Sequence, residues 1–411
     1  MPPPLPNSEH CHPIGKVSRV YQPEILSTAL ELAASDWRVL ATGDDPFVSR
    51  GFLGAAEQTG TTQGVLGWQA MHVALRDDQG AIAGLLPLYL RHHSYGDFAS
   101  DWGWSAAWER AGLAYYPKLV TGVPFTPSPG PRLLATADGG VGARRALIQA
   151  AADLTAEIGV SSWQCLFVRE TDREQLESAG LIMRRGIQFH WRNRGYGDFA
   201  DFLAGFTAEK RKKLKRERRA VLDAGLRIEA RHGDEIDEPL WRAIHRHYRS
   251  TFARYASPAS FSLEFFRRVG AALGRQLVVF VAFDGERPVA SAICYRDEEA
   301  LYGRHWGTDI ECPGLHFELC YYAGIEYAIR HGLQRFEPGA QGEHKVVRGF
   351  EPMPTWSAFW IADPWLREAV ARFVQREDGA MLDYQTEMAG HLPYRATPPA
   401  PGVPEPSAGI R

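Results

Sequence analysis

The sequence is poor in cysteine and has no long apolar run. Its five cysteines are scattered and form no C-x-x-C pair, which excludes a disulfide framework and a thioredoxin-like redox motif. No apolar stretch approaches the about 20 residues of a membrane-spanning helix. The first residues, MPPPLPNSEHCHPIGK, lack the apolar core of a signal peptide. We therefore expect a cytoplasmic protein in a reducing compartment.

The chain also lacks an excess of charge of either sign. Its 46 Lys and Arg residues nearly balance 49 Asp and Glu residues, for a formal net charge of −3, and this excludes a protein that is basic throughout. No serine lies in a G-x-S-x-G motif, so a hydrolase nucleophile elbow has no support. The segment His10-Cys11-His12 falls in an N-terminal tail that is expected to be disordered, and no metal site is predicted.

Length and composition indicate two domains between unstructured ends. A chain of 411 residues exceeds what one hydrophobic core usually serves. Pro-rich segments predict disordered tails at 1–19 and 395–411. Between these tails we expect an N-terminal domain over 20–192 and a C-terminal domain over 193–394.

The two halves repeat one order of elements. In the first half, HVALRDDQGAIAGLLPLYL predicts a strand hairpin with a polar turn, and AAADLTAEIGVSSWQCLF predicts a helix, a glycine and a strand. VFVAFDGERPVASAICY and YYAGIEYAIRHGLQRFEPG show the same order in the second half. Any two α/β domains share such steps, but the recurrence of both the order and the polar turns favours tandem copies of one α/β fold.

Apolar periodicity predicts the individual elements. Helices are expected over 25–34, through 52–56, and over 143–158, 199–222, 239–252, 263–273 and 316–330. Strands are expected over 70–75, 81–88, 162–168, 277–283, 288–295, 300–306 and 333–336.

The densest group of chemistry-bearing residues follows the strand over 333–336. A Gly-Ala-Gln-Gly turn that contains Gln341 precedes Glu343, His344 and Lys345. Glycines just past a strand end let a ligand approach the backbone, and Glu, His and Lys can supply a base, a proton carrier and a cation. The sequence predicts a catalytic group at these three residues, with Gln341 in contact with substrate. The alternative is a plain glycine-rich turn whose charged residues face water.

A second candidate lies at the end of the strand over 300–306, where alternate side chains would face a cleft. The alternative is that the aromatic residues here belong to the core. Further substrate contacts are expected from the next helix, from the segment after Lys345 and from a polar–aromatic loop of the first half. The predicted substrate-binding residues, besides Gln341, are Tyr302, Arg304, His305, Trp306, His316, Glu318, Arg348, Asp101 and Trp102.

A basic run is the third candidate. The segment KRKKLKRERR at 210–219 concentrates positive charge inside a predicted helix, so several cations would face any partner. We expect Lys212, Lys213, Arg216 and Arg219 to bind the phosphates of a tRNA, a CoA or a nucleotide-linked sugar. A solvated helix face is the alternative.

The longest distinctive strings resemble one family. The FemAB-like group of predicted N-acyltransferases, within the GNAT-fold superfamily, is similar to this chain over residues 45 to 394. That resemblance implies an α/β fold with mixed sheets, built as two tandem GNAT-type acyltransferase domains with a central cleft. The strings that carry it are HSYGDFASDWGW, YYPKLVTGVPFTPSPGPRLL, QFHWRNRGYGDFADFL, LYGRHWG, LHFELCYYAGIEYAI and FEPGAQGEHKVVRGFEP.

The resemblance also implies a reaction class. It indicates an N-acyltransferase that moves an acyl or aminoacyl group from acyl-CoA or aminoacyl-tRNA to an amine by direct attack, with no permanently bound cofactor. Better-known relatives use charged tRNA and a peptidoglycan precursor. In them, a lysine at the place of Lys345, followed by a Gly-Phe like Gly349-Phe350, lies near the transferred group. The acceptor here is expected to be a small-molecule or peptide amine.

For this reaction we assign the proton acceptor to Glu343 or His344 and the cation near the oxyanion or a phosphate to Lys345. The GNAT pyrophosphate loop is replaced by Cys312-Pro313-Gly314-Leu315, which argues against acetyl-CoA at this junction. One alternative is a covalent route through Cys312 or Cys320. Another is a non-catalytic protein that binds RNA or an anionic polymer through 210–219.

In the acyl-transfer reaction, the donor or acceptor would be oriented by Arg304, His305 and Arg348.

Overall fold

The computed structural model describes residues 20–40, 44–254, 258–340 and 342–395. The predicted tails, apart from Arg395, lie outside the described residues. So do His10-Cys11-His12 and the predicted substrate contact Gln341.

The first half alternates short helices with the strands of two sheets. Its helices are α1 (Ala34–Val39), α2 (Arg50–Gln58), α3 (Trp102–Arg110), α4 (Gly140–Glu157) and α5 (Glu170–Ser178). Its strands are β1 (Gln22–Leu26), β2 (Trp68–Ala70), β3 (His72–Arg76), β4 (Ile82–Leu86), β5 (Tyr89–Arg91), β6 (Lys118–Thr121), β7 (Leu134–Ala135), β8 (Ser162–Val168) and β9 (Ile182–Arg192).

The second half has longer elements. Its helices are α6 (Phe199–Ala204), α7 (Ala208–Asp223), α8 (Glu238–Arg254), α9 (Leu263–Leu273), α10 (Leu315–Phe317), α11 (Ala323–Arg330) and α12 (Pro364–Gly390), with a π-helical turn at Glu318–Tyr322 between α10 and α11. Its strands are β10 (Arg227–His232), β11 (Leu277–Asp284), β12 (Arg287–Arg296), β13 (Ala300–Thr308), β14 (Arg335–Glu337) and β15 (Glu351–Ile361).

One eleven-stranded sheet of the described chain runs through both halves. Its order is β10-β11-β12-β13-β14-β9-β15-β8-β6-β5-β2, and β1-β3-β4-β7 form a second sheet. The pairs β6·β8 and β13·β14 are parallel, whereas β8·β15, β9·β15 and β9·β14 are antiparallel. The predicted α/β class with mixed sheets is confirmed.

Each half contains a hairpin, β3-β4 or β11-β12, and a later strand–helix–strand unit that closes with a parallel pair. The halves also exchange strands. β9 of the first half lies between β14 and β15, and β15 of the second half lies between β9 and β8. One sheet includes strands of both halves and does not divide the chain at residues 192 and 193. The domain boundary expected there stays a prediction.

The core is shared across the halves as well. Phe47 of the first half packs edge-on against Tyr295 and Tyr302 of the second, with ring centroids 5.1 Å and 5.3 Å apart. Phe52 makes the same kind of contact with Phe265 at 5.4 Å. All five side chains are buried. In the part of the chain that the structure describes, no helix is both long and apolar enough to span a bilayer.

Two predicted helices are wrong in their extent. The segment predicted as a helix over 25–34 begins as β1, because Gln22–Leu26 pairs with β3 and the Glu57 carboxylate accepts from the backbone N–H of Ala29 at 2.7 Å. The helix predicted over 199–222 is two helices. Their junction at 205–207 pairs through its backbone with residues 393–395 instead of continuing the helical ladder.

Candidate functional site

A cavity of about 560 Å³ lies between the two halves, within the range of small-molecule sites. We call it the central pocket. The first half contributes the loop before α3 and the turn after β6. The second half contributes α8, the segment before α9, the middle of β13 and the turn after β14. Its wall includes Asp97, Phe98 and Trp102 from the first half and Arg304, His305 and Gly339 from the second.

Parts of two sequence candidates therefore meet at one cavity. Arg304 and His305 come from the middle of β13, which extends past the predicted strand end to Thr308, and Gly339 and Ala340 come from the glycine-rich turn. Trp102, predicted from the first-half loop, faces them across the cleft. A shared catalytic role for the two segments requires that they line the same cavity, and these residues do.

Arg304 is the most unusual residue of the wall. Its Nε and Nη2 atoms are buried and have no hydrogen-bond partner in the described part of the chain. Burial lowers the pKa of its guanidinium, and the Glu337 carboxylate partly offsets that effect. Buried donors are nearly always satisfied in native proteins. These two donors are therefore suited to a ligand oxygen.

The backbone explains why Arg304 reaches the pocket. β13 and β14 pair only through residues 300–302 and 335–337, and then they separate. On the other side, the register of β12 and β13 shifts, so that Gly303 pairs with Cys294 while His305 pairs with Ile293. This bulge leaves Arg304 without a cross-strand partner, and bulges commonly re-aim a side chain in this way.

His305 forms a neutral part of the wall. Its ring lies 4.9 Å from that of Tyr248 and 5.4 Å from that of Phe261. Burial among these rings, aided by the nearby Arg304, lowers the pKa of His305 to about 3. The imidazole is uncharged at physiological pH.

Lys345 lies behind the wall rather than in it. Its ammonium donates to the carbonyl of Gly339 at 2.7 Å, and the side chain is 2% exposed. Burial lowers the pKa of Lys345 to about 7, and the nearby Arg304 adds to the effect. Gly339 itself has a φ of +101°, a conformation that L side chains rarely adopt. Lys345 thus holds a glycine turn that forms the pocket wall.

The two residues predicted as proton acceptors point elsewhere. The 3₁₀ turn at Glu343–Arg348 directs Glu343 to the hydroxyl of Tyr384 on α12, at 2.9 Å. His344 contacts the hydroxyl of Tyr321 through Nε2 at 2.7 Å. Burial lowers the pKa of His344, and Lys345 contributes. Neither side chain lines the central pocket, so the structure does not support either as the base.

Three further predicted contacts also lie outside the pocket. Tyr302 donates to Asp297 at 2.5 Å and faces a separate acidic cavity. Trp306 packs on the ring of His316 at 4.7 Å, on the face of β13 that carries α10. Burial lowers the pKa of His316 to about 4. The aromatic side chains of Trp306 and His316 therefore pack against each other and do not line the central pocket.

Glu318 and Arg348 are held by ion pairs with α7. Arg218 bridges to Glu318 at 2.9 Å, and Arg348 bridges to Glu217 at 2.9 Å. Glu318 and Arg348 are both buried. Because these charges already have partners, they join α7 to its neighbours and are not free to orient a substrate.

A buried charge network supports the first-half wall. The ammonium of Lys118 lies 2.9 Å from Asp97 and 2.5 Å from Asp101, and it donates to the hydroxyl of Ser94 at 2.7 Å. Burial raises the pKa of Asp97 although Lys118 opposes the rise. Burial would also raise the pKa of Asp101, but Lys118 brings it below its ordinary value. Asp101 therefore anchors the loop, and Asp97 lines the pocket.

Three residues of the first-half wall, two in the loop before α3 and one in the turn after β6, have strained backbone conformations. Phe98, Ser100 and Phe125 have φ values of +59°, +53° and +55°, and all three line the central pocket. Such residues cluster at functional sites because the surrounding structure must hold them in place. Here Asp97 accepts from the N–H of Ala99 at 3.0 Å. No sequence motif marks these residues, although aromatic residues around Gly96 are a visible signal.

The basic run lies on the outer face of α7, whose inner face buries Leu214 and Val221. Lys212, Lys213 and Arg216 are exposed and have no ion-pair partner among the described residues. Arg219 is exposed but pairs with Asp223 at 3.0 Å. None of the four phosphate-binding candidates lines the central pocket.

α7 also covers the start of the helix at 315–330. A Cβ atom built on Gly314 would lie 2.8 Å from the carbonyl oxygen of Glu217. The backbone of α7 therefore packs directly against Gly314, the residue before this helix. Burial raises the pKa of the Cys320 thiol well above its ordinary value, so Cys320 stays protonated and is a poor nucleophile.

Known proteins resemble the chain in sequence family and in fold. A family model named FemAB_like, described as peptidoglycan biosynthesis/recognition, matches residues 28–396. No curated protein matches the chain.

Solved structures align over most of the chain at low identity. The C-terminal domain of a putative lysylphosphatidylglycerol synthetase from Agrobacterium fabrum aligns with a TM-score of 0.49 and 10% identity, over 88% of this chain and 98% of that one. FemX gives 0.47 and 13%, over 85% and 100%. A tandem GNAT protein from the clavulanic acid biosynthesis pathway gives 0.44 and 12%, over 84% and 99%.

Proposed function

This chain belongs to the FemAB-like family, and from that premise we propose that it is an N-acyltransferase. It moves an acyl or aminoacyl group from an activated donor to an amine by direct attack. The observation that carries the proposal is the central pocket, in which Asp97 of one half and Arg304 of the other line the same cavity.

Acyl transfer to an amine needs a proton acceptor, a stabilised carbonyl oxygen and aligned reactants. Asp97 is suited to the first role, because burial has brought its pKa upward from that of an ordinary carboxylate. Arg304 is suited to the second role, because two of its buried N–H donors have no partner in the described chain. Closure of the pocket by both halves provides the third.

The reaction follows from these roles. The amine nitrogen bonds to the acyl carbon, and the carbonyl oxygen gains negative charge beside Arg304. The bond from the acyl carbon to the donor's sulfur or oxygen then breaks as the carbonyl re-forms. The proton that the nitrogen loses passes to Asp97 and on to the leaving group. Lys118 continues to pair with Asp101 throughout.

Lys345 acts as a positioning residue. Its contact with the Gly339 carbonyl fixes the turn that faces Arg304. This role replaces the direct contact with the oxyanion that the sequence predicts. It explains why a buried lysine follows the glycine turn without itself lining the pocket.

The favoured donor is an aminoacyl-tRNA. The backbone of α7 packs against Gly314, at the start of the helix whose N–H groups would bind a CoA pyrophosphate. The exposed Lys212, Lys213 and Arg216 on the same helix are available for a phosphate backbone. The acceptor amine belongs to a peptidoglycan precursor, on the strength of the family description.

The test is a reconstituted transfer assay. The purified full chain is incubated with a muropeptide-type amine acceptor and either charged tRNA or acyl-CoA. The product is identified from its mass by mass spectrometry. The wild type is expected to yield an amide. Arg304→Ala is expected to lose about 10²- to 10³-fold in kcat, the usual effect of removing an oxyanion donor.

Arg192→Ala is the matched control, because Arg192 is an exposed arginine on β9 and lies outside the pocket. It should retain full turnover. Equal turnover of Arg304→Ala and Arg192→Ala would sink the proposed role of Arg304. Absence of product with every donor would sink the proposed activity.

A second candidate function is non-catalytic binding of RNA or an anionic polymer. The exposed cations of α7 favour it. It predicts strong, salt-dependent binding with no acyl product, so the same assay separates the two.

A further inference from the structure

The central pocket has a chemical character beyond the two charged groups that the proposed reaction uses. Aromatic side chains dominate its wall, with Phe125 and Phe261 in the interior. The rings of these two residues lie 6.0 Å apart in an edge arrangement. Trp102 and Phe98 remain 69% and 43% exposed at the mouth. Large apolar side chains left exposed beside a cavity mark a place where an apolar group is bound.

The charged and titratable groups of the wall differ in how far the protein already satisfies them. His305 is neutral because burial lowers its pKa to about 3. Asp97 lies 2.9 Å from the ammonium of Lys118. The hydroxyl of Tyr248 is already used, since it accepts from the N–H groups of Ser260 and Phe261 at 3.1 Å each. Arg304 is the charged group of the wall that keeps buried donors without a partner among the described residues, and these donors suit a ligand oxygen.

The aromatic wall is also built in advance. Phe98 and Phe125 have left-handed backbone conformations, at φ +59° and +55°. A Cβ on Gly96 would lie 2.2 Å from the ring of Phe125, so only glycine allows that ring to pack there. Strain of this kind persists where the surroundings hold it for a purpose. The ring positions are therefore fixed before any ligand binds.

We infer that the central pocket selects an apolar acyl group, aromatic or branched aliphatic, and holds its carbonyl or carboxylate oxygen at Arg304. This inference rests on the proposed acyl transfer and names the class of group transferred. A small group such as acetyl or glycyl would leave the aromatic wall uncovered. A cationic ligand, which aromatic walls otherwise attract, would leave the unpartnered donors of Arg304 without an acceptor.

Direct binding tests the inference without the reaction. 3-Phenylpropionate and acetate, two carboxylates that differ in their apolar part, are titrated into the full chain by calorimetry. Burial of the phenyl group predicts binding on the order of 10- to 100-fold tighter than that of acetate. Equal affinity for the two acids would overturn the inference.

A pair of tryptophan variants places the binding. Trp102→Ala removes a ring at the pocket mouth and is expected to weaken phenylpropionate binding about 2- to 10-fold. Trp365→Ala removes a ring of similar exposure, 65% against 69%, from α12, outside the central pocket. It should leave the affinity unchanged. Equal effects of the two substitutions would overturn the assignment to this pocket.

The transfer assay separates this inference from the proposed activity. Donors that carry phenylalanyl or leucyl groups are compared with donors that carry glycyl or acetyl groups. Faster transfer of the apolar groups supports both statements. Equal or faster transfer of the small groups overturns the inference and leaves the activity standing. Tight phenylpropionate binding without any transfer product overturns the activity and supports the pocket's selectivity.

Discussion

At the scale of single residues, Asp97 illustrates how burial and charge together set a proton acceptor. Desolvation raises the pKa of its carboxyl group, and Lys118, at 2.9 Å, acts in the opposite direction. The net shift is upward, which brings the carboxylate nearer the pH at which an amine must lose a proton. Lys118 meanwhile keeps Asp101 ionised. Asp101 therefore anchors the loop, whereas Asp97 is the proposed proton acceptor.

The sign of this shift predicts a pH profile. Asp97 must be deprotonated to accept a proton, so kcat/KM should fall as the pH drops through a pKa above the ordinary value of 3.8. Asp97→Asn should abolish this acid limb and lower kcat by about 10²-fold or more. The exposed Asp223, on α7, is the control, and Asp223→Asn should leave the profile unchanged. An acid limb that survives in Asp97→Asn would assign the base elsewhere.

At the scale of elements, the loop before α3 depends on one glycine. Gly96 has a φ of +81°, and a Cβ there would lie 2.2 Å from the Phe125 ring. Gly96→Ala should therefore destabilise the protein by about 2–4 kcal/mol, from backbone strain and from the clash together. It should also weaken phenylpropionate binding, because the Phe125 ring must move. Thermal unfolding and calorimetry measure the two effects.

Gly112 supplies the matched control. It has a similar φ of +72°, but a Cβ there would meet nothing within 4 Å. Gly112→Ala should therefore show the strain alone, about 1 kcal/mol, and no loss of ligand binding. Equal destabilisation by the two substitutions would contradict the contact between Gly96 and Phe125.

The outer face of α7 predicts a salt dependence. If Lys212, Lys213 and Arg216 contact phosphates, replacing all three with Gln should reduce the slope of log K for tRNA against log salt by about 2–3. Filter binding over a salt series measures the slope. A triple Arg→Gln control at the exposed Arg38, Arg110 and Arg145 of the first half removes the same charge. An equal change in slope for both triples would show that only net charge matters.

The sequence predicts local elements better than long-range ones. The hairpins β3-β4 and β11-β12 lie where alternating apolar runs and polar turns place them. β15 is not predicted, because Pro352 and Pro354 are atypical of a central strand. The structure tolerates them because β8 pairs with β15 only from Trp356 onward, so the prolines lie where β9 is the only neighbouring strand.

The site is predictable only in part, for a related reason. Arg304 and His305 are predictable as site residues because they lie on a strand that the sequence pattern indicates. Asp97 and Phe125 form the opposite wall, but they come from irregular segments whose approach to β13 depends on the exchange of β9 and β15. Glu343 was assigned from its residue type, and only the turn at Glu343–Arg348 shows that it faces α12.

At the scale of the whole molecule, the exchanged strands and the shared core predict a single cooperative unfolding unit. Phe47, 1% exposed, packs on Tyr295 and Tyr302, and the Arg304 guanidinium lies 5.2 Å from its ring. Phe47→Ala should cost about 3–5 kcal/mol in the free energy of unfolding, as truncation of a buried aromatic residue usually does. Circular dichroism and fluorescence should still report one coincident urea transition.

Phe47→Ala should also lower turnover, since the ring beside Arg304 is removed from one half while the arginine belongs to the other. Phe202→Ala, which truncates a fully buried phenylalanine of α6 away from the central pocket, should cost a similar amount of stability with little loss of kcat. Two separate unfolding transitions would contradict the single unit, because a first half that unfolds alone would have to withdraw β9 from between β14 and β15. Equal loss of turnover in the two variants would show that general destabilisation, and not the contact between the halves at Arg304, limits the reaction.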